Sequence, residues 1–229
     1  MRLRTILAQV LTVALATLAL LVAPAGGAAA AGQAAAGVIR GGDLLYSSGG
    51  SRCPVSFNAA NSTRFYGIMP GHCASVGSRW FADPGLTIHV GVTEVSVFPG
   101  NDYALIRYTN PDYSYPSVVA AGSQSIRIDR AAHPAVGQRV CQAGRSTGLR
   151  CGVVQSVNNT INFPEGVVNG VFRSTLCAEP GDMGGGPAFS GNTALGFGIG
   201  GSGNCSSGGT TFHQPVAPVL AAHGLRVGY

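Results

Sequence analysis

Three short segments carry residue types that could do chemistry together. Gly71-His72-Cys73 offers a base, Asn101-Asp102-Tyr103 offers a carboxylate, and residues 177–187, C-A-E-P-G-D-M-G-G-G-P, offer a glycine-rich turn. Each is weak alone. A single His is more often a surface or satisfied core residue, and an Asp before an apolar strand is often a turn residue. The order His, Asp, then G-D-x-G-G is far more specific. An imidazole that takes a proton, a carboxylate that holds its tautomer and a loop of backbone N–H groups that stabilises an oxyanion make an acyl-transfer site.

Such groups need a rigid frame, and composition says which kind. The chain has 229 residues, of which 45% are hydrophobic and only 10% charged, well under the usual quarter. Its 35 Gly and 13 Pro are about a fifth of the whole, and all 14 basic residues are Arg. Without Lys, P-loop, Schiff-base and kinase-type lysine chemistry is excluded. Gly and Pro are costly inside helices, and sparse charge excludes a disordered chain or a coiled coil. A compact, turn-rich, all-β fold remains.

Short apolar runs fall at 63–68, 86–92, 93–98 and 103–108, and a second set begins near Val118 with 138–142, 152–157, 166–173, 194–199 and 210–212. Gly, Pro, Asn and Asp separate them, and Val92, Val95 and Val97 are β-branched, as strands prefer. Many short strands at fairly even spacing predict a sandwich or barrels. Residues 110–116 are polar and turn-forming, and read as the join between halves. The good helix candidate is 215–223, with Pro215 suited to a first turn and Gly224 to the stop.

The first stretch has the order of a cleaved signal peptide: Arg2 and Arg4, an apolar run over 5–22, then Pro24, Gly26, Gly27 and the Ala tract 28–31. Residues 1–31 are therefore expected to be removed, 32–37 to form a short leader, and the protein to be secreted and extracellular. A retained membrane anchor is the alternative. Loss of Arg2 and Arg4 lowers the formal charge from +5 to +3, too mild for a nucleic-acid footprint. Neither nucleic acid nor, after cleavage, a membrane is an expected partner. Cys53, Cys73, Cys141, Cys151, Cys177 and Cys205 are an even set, which in an exported protein suggests disulfides. Their pairing is open from sequence, with neighbour pairs the simplest choice. No C-x-x-C or C-x-x-H cluster supports zinc, and no metal or cofactor is expected.

These motifs together resemble the chymotrypsin-like serine proteases, specifically the bacterial streptogrisin and alpha-lytic group. The similarity spans Val38 to Tyr229. It includes P-G-H-C where the family has A-G-H-C, then N-D-Y-A-L-I-R-Y, C-A-E-P-G-D-x-G-G, G-G-S-G-N-C-S-S-G-G-T-T-F and the Q-P-V that opens the last helix. The resemblance implies two antiparallel six-stranded β-barrels, 38–115 and 116–229, the second ending in a short helix, with the site between them. It implies disulfides 53–73, 141–151 and 177–205. His72 matches the general base and Asp102 its orienting carboxylate. The N–H groups of Gly181 and Met183 match the oxyanion hole, and Ile199, Gly200, Gly201, Ser202 and His213 match the substrate cleft. A monomer is expected.

The departures matter as much. Met183 stands where the family has its nucleophilic Ser. A thioether has no proton for His72 to take, and its sulfur is a weak acceptor. Loss of the nucleophile in a serine protease costs about 10⁶ in kcat. Ile199 stands where a Ser donates to the catalytic carboxylate. Gln142 stands where an Arg pairs with the Asp of the G-D-x loop, so Asp182 needs another donor, and nearby Arg145 is the candidate. Pro70 replaces an Ala, and Gly186 is an extra residue in the loop. In glutamate-specific relatives a His matches His213 and helps hold a substrate carboxylate, but Gly198 and Ala188 stand where further pocket His residues would lie. The expectation is a secreted protease homologue that is catalytically inactive and binds a peptide or a protease inhibitor in its cleft. The alternatives are an active secreted serine endopeptidase and a scaffold with no cleft function.

Overall fold

A computed structural model describes residues 37–179, 182 and 184–229. The expected signal peptide, nearly all of the leader, and the positions of Gly181 and Met183 lie outside the described residues.

The first half of the chain forms β1 (Gly37–Val38), β2 (Leu44–Ser47), β3 (Arg52–Pro54), β4 (Phe57–Ala60), β5 (Phe65–Met69), β6 (Arg79–Phe81), β7 (His89–Val97) and β8 (Tyr103–Tyr108). Three connecting strands follow: β9 (Tyr113–Ser114), β10 (Val118–Ala121) and β11 (Gln124–Arg127). The second half forms β12 (Arg130–Ala131), β13 (Arg139–Gly144), β14 (Gly148–Phe163), β15 (Gly166–Ser174), β16 (Pro187–Ser190), β17 (Thr193–Asn204) and β18 (Gly208–Pro215), then α1 (Val216–Ala222).

The first sheet runs β3-β2-β6-β7-β8-β5-β4. Its two edges are one piece of chain. Pro54 has no N–H for the ladder, and β3 ends there although contact with the β2 side continues. Val55 N–H then donates to the Asp43 carbonyl at 2.9 Å and Ser56 N–H to the Ile68 carbonyl at 2.6 Å. Residues 52–60 thus pair with β2 on one side and β5 on the other, which closes the barrel. The second sheet runs β12-β17-β16-β13-β14-β15-β18, and β17 also pairs with β18, closing six strands into a ring. Each sheet counts seven strands rather than the expected six because Pro54 divides one strand and the two-residue β12 adds an edge. Likewise, the runs at 86–92 and 93–98 are one strand, β7. Its register shifts between Thr93 and Val95, a bulge that bends a strand without ending it.

Trp80, Phe57, Phe172 and Phe197 are fully buried, and each such side chain contributes about 1.5–3 kcal/mol relative to exposure. One cluster joins the halves: Phe57, Ile68 and Leu105 pack with Val168, Phe197 and Val216. The disulfides are Cys53–Cys73, Cys141–Cys151 and Cys177–Cys205, with Cα separations of 6.2, 3.9 and 4.9 Å. Cys141 and Cys151 face each other directly in the β13–β14 ladder. Among the described residues no helix is long and apolar enough to cross a membrane.

Candidate active site

His72 sits in a single 3₁₀ turn, Gly71–Cys73, immediately after β5. Pro70 starts the turn from an extended conformation. Gly71 is required by space, because a Cβ there would collide with the Val97 carbonyl oxygen and lie 2.9 Å from that of Tyr103. The backbone of β7 and β8 therefore presses on the turn and holds His72 beside Asp102, the residue that precedes β8. The Asp102 carboxylate is fully buried. Its Oδ2 lies 2.7 Å from His72 Nδ1, and its Oδ1 accepts the His72 backbone N–H at 2.9 Å. Engagement of Nδ1 leaves Nε2 as the proton-transfer atom, and the imidazole side chain stays 32% exposed.

Ile199 donates nothing to this carboxylate. It is 4% exposed and belongs to the apolar cluster that contains Leu105. Support comes instead from Gln214, whose Oε1 accepts the Asp102 backbone N–H at 2.9 Å.

Two aromatic rings flank His72. Phe98, just past β7, lies edge-on with centroids 5.7 Å apart, and Phe163, at the end of β14, stacks at 6.3 Å. Phe98 and Phe163 also meet each other at 5.4 Å. A Cβ on Gly200 would lie 3.8 Å from the Phe163 ring, so the aromatic wall continues onto β17. Beyond Gly200, the residues Gly201 and Ser202 are exposed. They pair with β18 along one edge, and among the described residues no strand pairs with 200–204 along the other.

His213 lies beneath this surface rather than on it. It is fully buried opposite Gly198. Its ring stacks on Phe172 at 4.5 Å, and Nε2 lies 2.8 Å from Ser174 Oγ, while Nδ1 has no partner among the described residues. Burial in this apolar setting pulls its pKa down to about 3, so the imidazole is neutral at ordinary pH.

The G-D-x-G-G loop is described at Asp182 and from Gly184 onward. Asp182 is 2% exposed, and its donors are the backbone N–H groups of Ser146 at 2.7 Å and Thr147 at 3.1 Å. This corrects the expectation that Arg145 would pair with it. Among the described residues the carboxylate is met by two backbone amides in the β13–β14 turn rather than by a guanidinium. Gln142 bonds the Asp182 main chain, Nε2 to the carbonyl oxygen at 3.0 Å. Gly185 has φ +92, a left-handed conformation that favours glycine, and its N–H donates to the Gly198 carbonyl at 2.7 Å. Gly186 is used at close quarters: a Cβ there would lie 2.6 Å from Gln142 Nε2. Among the described residues no group of three or more His, Cys, Asp or Glu could hold a metal ion.

Phe98, Phe163 and Gln214 carried no sequence signal for a site. Phe98 read as an ordinary apolar residue at a run end, Phe163 fell between two runs, and Gln214 read only as the residue before a helix.

The trypsin family model matches residues 83–222. Streptogrisin-D of Streptomyces griseus is 44% identical over 193 residues, covering 83% of this chain and 48% of its own length. Serine protease 2 of Streptomyces fradiae is 42% identical and covers 76% of this chain and 100% of its own. Among solved structures, alpha-lytic protease homolog N4 is 50% identical, with a TM-score of 0.77 over 82% of this chain and 98% of its own. The chain spans about half the length of the streptogrisins C and D that it matches. With its paired barrels, three disulfides and these relatives, the chain belongs to the trypsin family of chymotrypsin-fold serine proteases, in the bacterial streptogrisin and alpha-lytic group.

Proposed function

We propose that this chain is a secreted, catalytically silent member of the family that binds peptide in its cleft without hydrolysing it. The observation that carries this reading is Met183 in the G-D-x-G-G motif. Acyl transfer begins with an attacking oxygen whose proton passes to the imidazole, and a thioether supplies neither. Among the described residues no hydroxyl is bonded to the His72 ring, whose partner is Asp102. Ser174 is fully buried against His213, and Ser190 pairs with Thr193 at the turn between β16 and β17.

Binding does not need the nucleophile. The unpaired edge of 200–204 can accept an extended peptide as an added strand, with main-chain hydrogen bonds giving affinity and side-chain pockets giving choice. The Phe98–Phe163 wall supplies apolar contact beside it. A buried, neutral His213 speaks against a carboxylate anchor at that position.

The protein freed of residues 1–31 is treated with a fluorophosphonate probe and, separately, with extended peptides. No labelling is expected, with peptides recovered intact from a saturable complex. Covalent labelling at any residue overturns the reading in favour of an active endopeptidase. Met183→Ser is expected to regain weak labelling, since His72 and Asp102 are already joined.

A further inference from the structure

We propose that this chain has a second recognition subsite beside the cleft, an arginine-paired pocket that takes a carboxylate of the bound peptide. It rests on the peptide-binding reading above. A cavity of about 320 Å³ is lined by Arg52, Cys53, Pro54, Arg145, Ser146 and Gly184, among others. Its place follows from the chain. Cys53 is bonded to Cys73, the neighbour of His72, and Gly184 is the neighbour of position 183. The cavity therefore lies near the turn that carries His72 and shares no lining residue with the Phe98–Phe163 wall.

The charge in it is unmatched. All nine acidic residues of the chain are among the described ones. The other close ion pairs are Arg40–Asp43, Arg107–Glu94 and Arg127–Asp129, and neither Arg52 nor Arg145 has an acidic partner among the described residues. Asp182, near Arg145 in the fold, is 2% exposed and has its carboxylate oxygens taken by the Ser146 and Thr147 amides. Two exposed guanidinium groups thus share one concavity with no counter-charge. Planar guanidinium forks match a carboxylate in geometry as well as charge. Leu44, Cys53 and Pro54 also line it and give apolar contact for the methylenes of an Asp or Glu side chain. The ligand chemistry is an acidic residue, or a chain-terminal carboxylate, a few positions from the residue seated against Gly200.

The test moves one Glu along an otherwise neutral fluorescent octapeptide, with C-terminally amidated and free-acid sets, and measures Kd by anisotropy at low salt. At one position Glu should bind about three- to tenfold more tightly than Gln. The gain should vanish in Arg52→Gln/Arg145→Gln, which binds the neutral parent peptide unchanged. A gain confined to the free-acid set assigns the pocket to a chain terminus, and one shared by both sets assigns it to a side chain. No gain at any position, or a gain that survives both substitutions, overturns the proposal. If the neutral parent peptide fails to bind, the cleft reading falls, and the pocket is then judged alone by titrating glutarate against the side-chain Nε–H signals of Arg52 and Arg145. Saturable shifts of both support it, and their absence overturns it.

Discussion

Gln214 accepts the backbone N–H of Asp102 at 2.9 Å, a bond that spans 112 positions of sequence. Gln214 is the penultimate residue of β18 in the second barrel, and Asp102 leads into β8 in the first. The dyad carboxylate is thus fixed from behind by the opposite half of the molecule. Both residues are buried, so the bond is made where an unpaired group costs most. Gln214→Leu is expected to destabilise the fold by about 1–3 kcal/mol. Urea unfolding checks this, and an unchanged midpoint would show that the bond contributes nothing.

Asp102 touches His72 twice, through the ring and through the main chain. On the proposed reading it holds the imidazole tautomer, so its removal should show only where a nucleophile exists. In a Met183→Ser background, Asp102→Asn is expected to lower the rate of fluorophosphonate labelling by about 10⁴. Equal labelling rates in the two proteins would deny Asp102 an orienting role.

His213 gives a pH signature. Its ordinary value of 6.5 falls to about 3 in the fold. Between those values the unfolded chain binds a proton that the folded one refuses, so stability is lost as pH drops through the window. The loss is about 2 kcal/mol between pH 6.5 and 4.5. His213→Phe keeps the stack on Phe172, and Ser174 Oγ still accepts the Leu176 N–H at 3.3 Å. That variant should lose correspondingly less stability over the same range. Parallel pH profiles for the two proteins would refute the assignment.

Gly71→Ala places a methyl against the Val97 and Tyr103 backbones, which cannot swing aside as a side chain does. A loss of about 1–3 kcal/mol is expected, together with a displaced His72 ring signal in NMR spectra. A variant as stable as the parent would mean that the turn shifts freely.

Much of this was legible in the residue order. The Gly and Pro content excludes long helices, and β8 matches the run at 103–108 because a short apolar run bounded by turn-forming residues is a local property. The dyad was legible because His72 and Asp102 stand in short motifs whose neighbours, Gly71 and the apolar run after Asp102, are themselves forced by packing. The six cysteines announced disulfides, but their pairing needed either resemblance or the fold.

Other features depended on approach across the barrels. The sequence offered Arg145 to Asp182 on charge and proximity. The β13–β14 turn instead aims two main-chain amides at the carboxylate, and a backbone donor has no letter in the sequence. His213 looked like a cleft residue by position, yet the β17–β18 register places it under Gly198, where desolvation keeps it neutral. Phe163 reaches His72 only because β14 runs 16 residues, far enough to carry its end across to the first barrel, where Phe98 follows β7. By itself, the sequence determined the β class, the order of chemical groups and the Met at the nucleophile position, because each is a property of composition or of a few adjacent residues. Only the tertiary structure decided which donors meet Asp182, what surrounds His72 and which arginines are left without a counter-charge, because those depend on the paths of strands far apart in the chain.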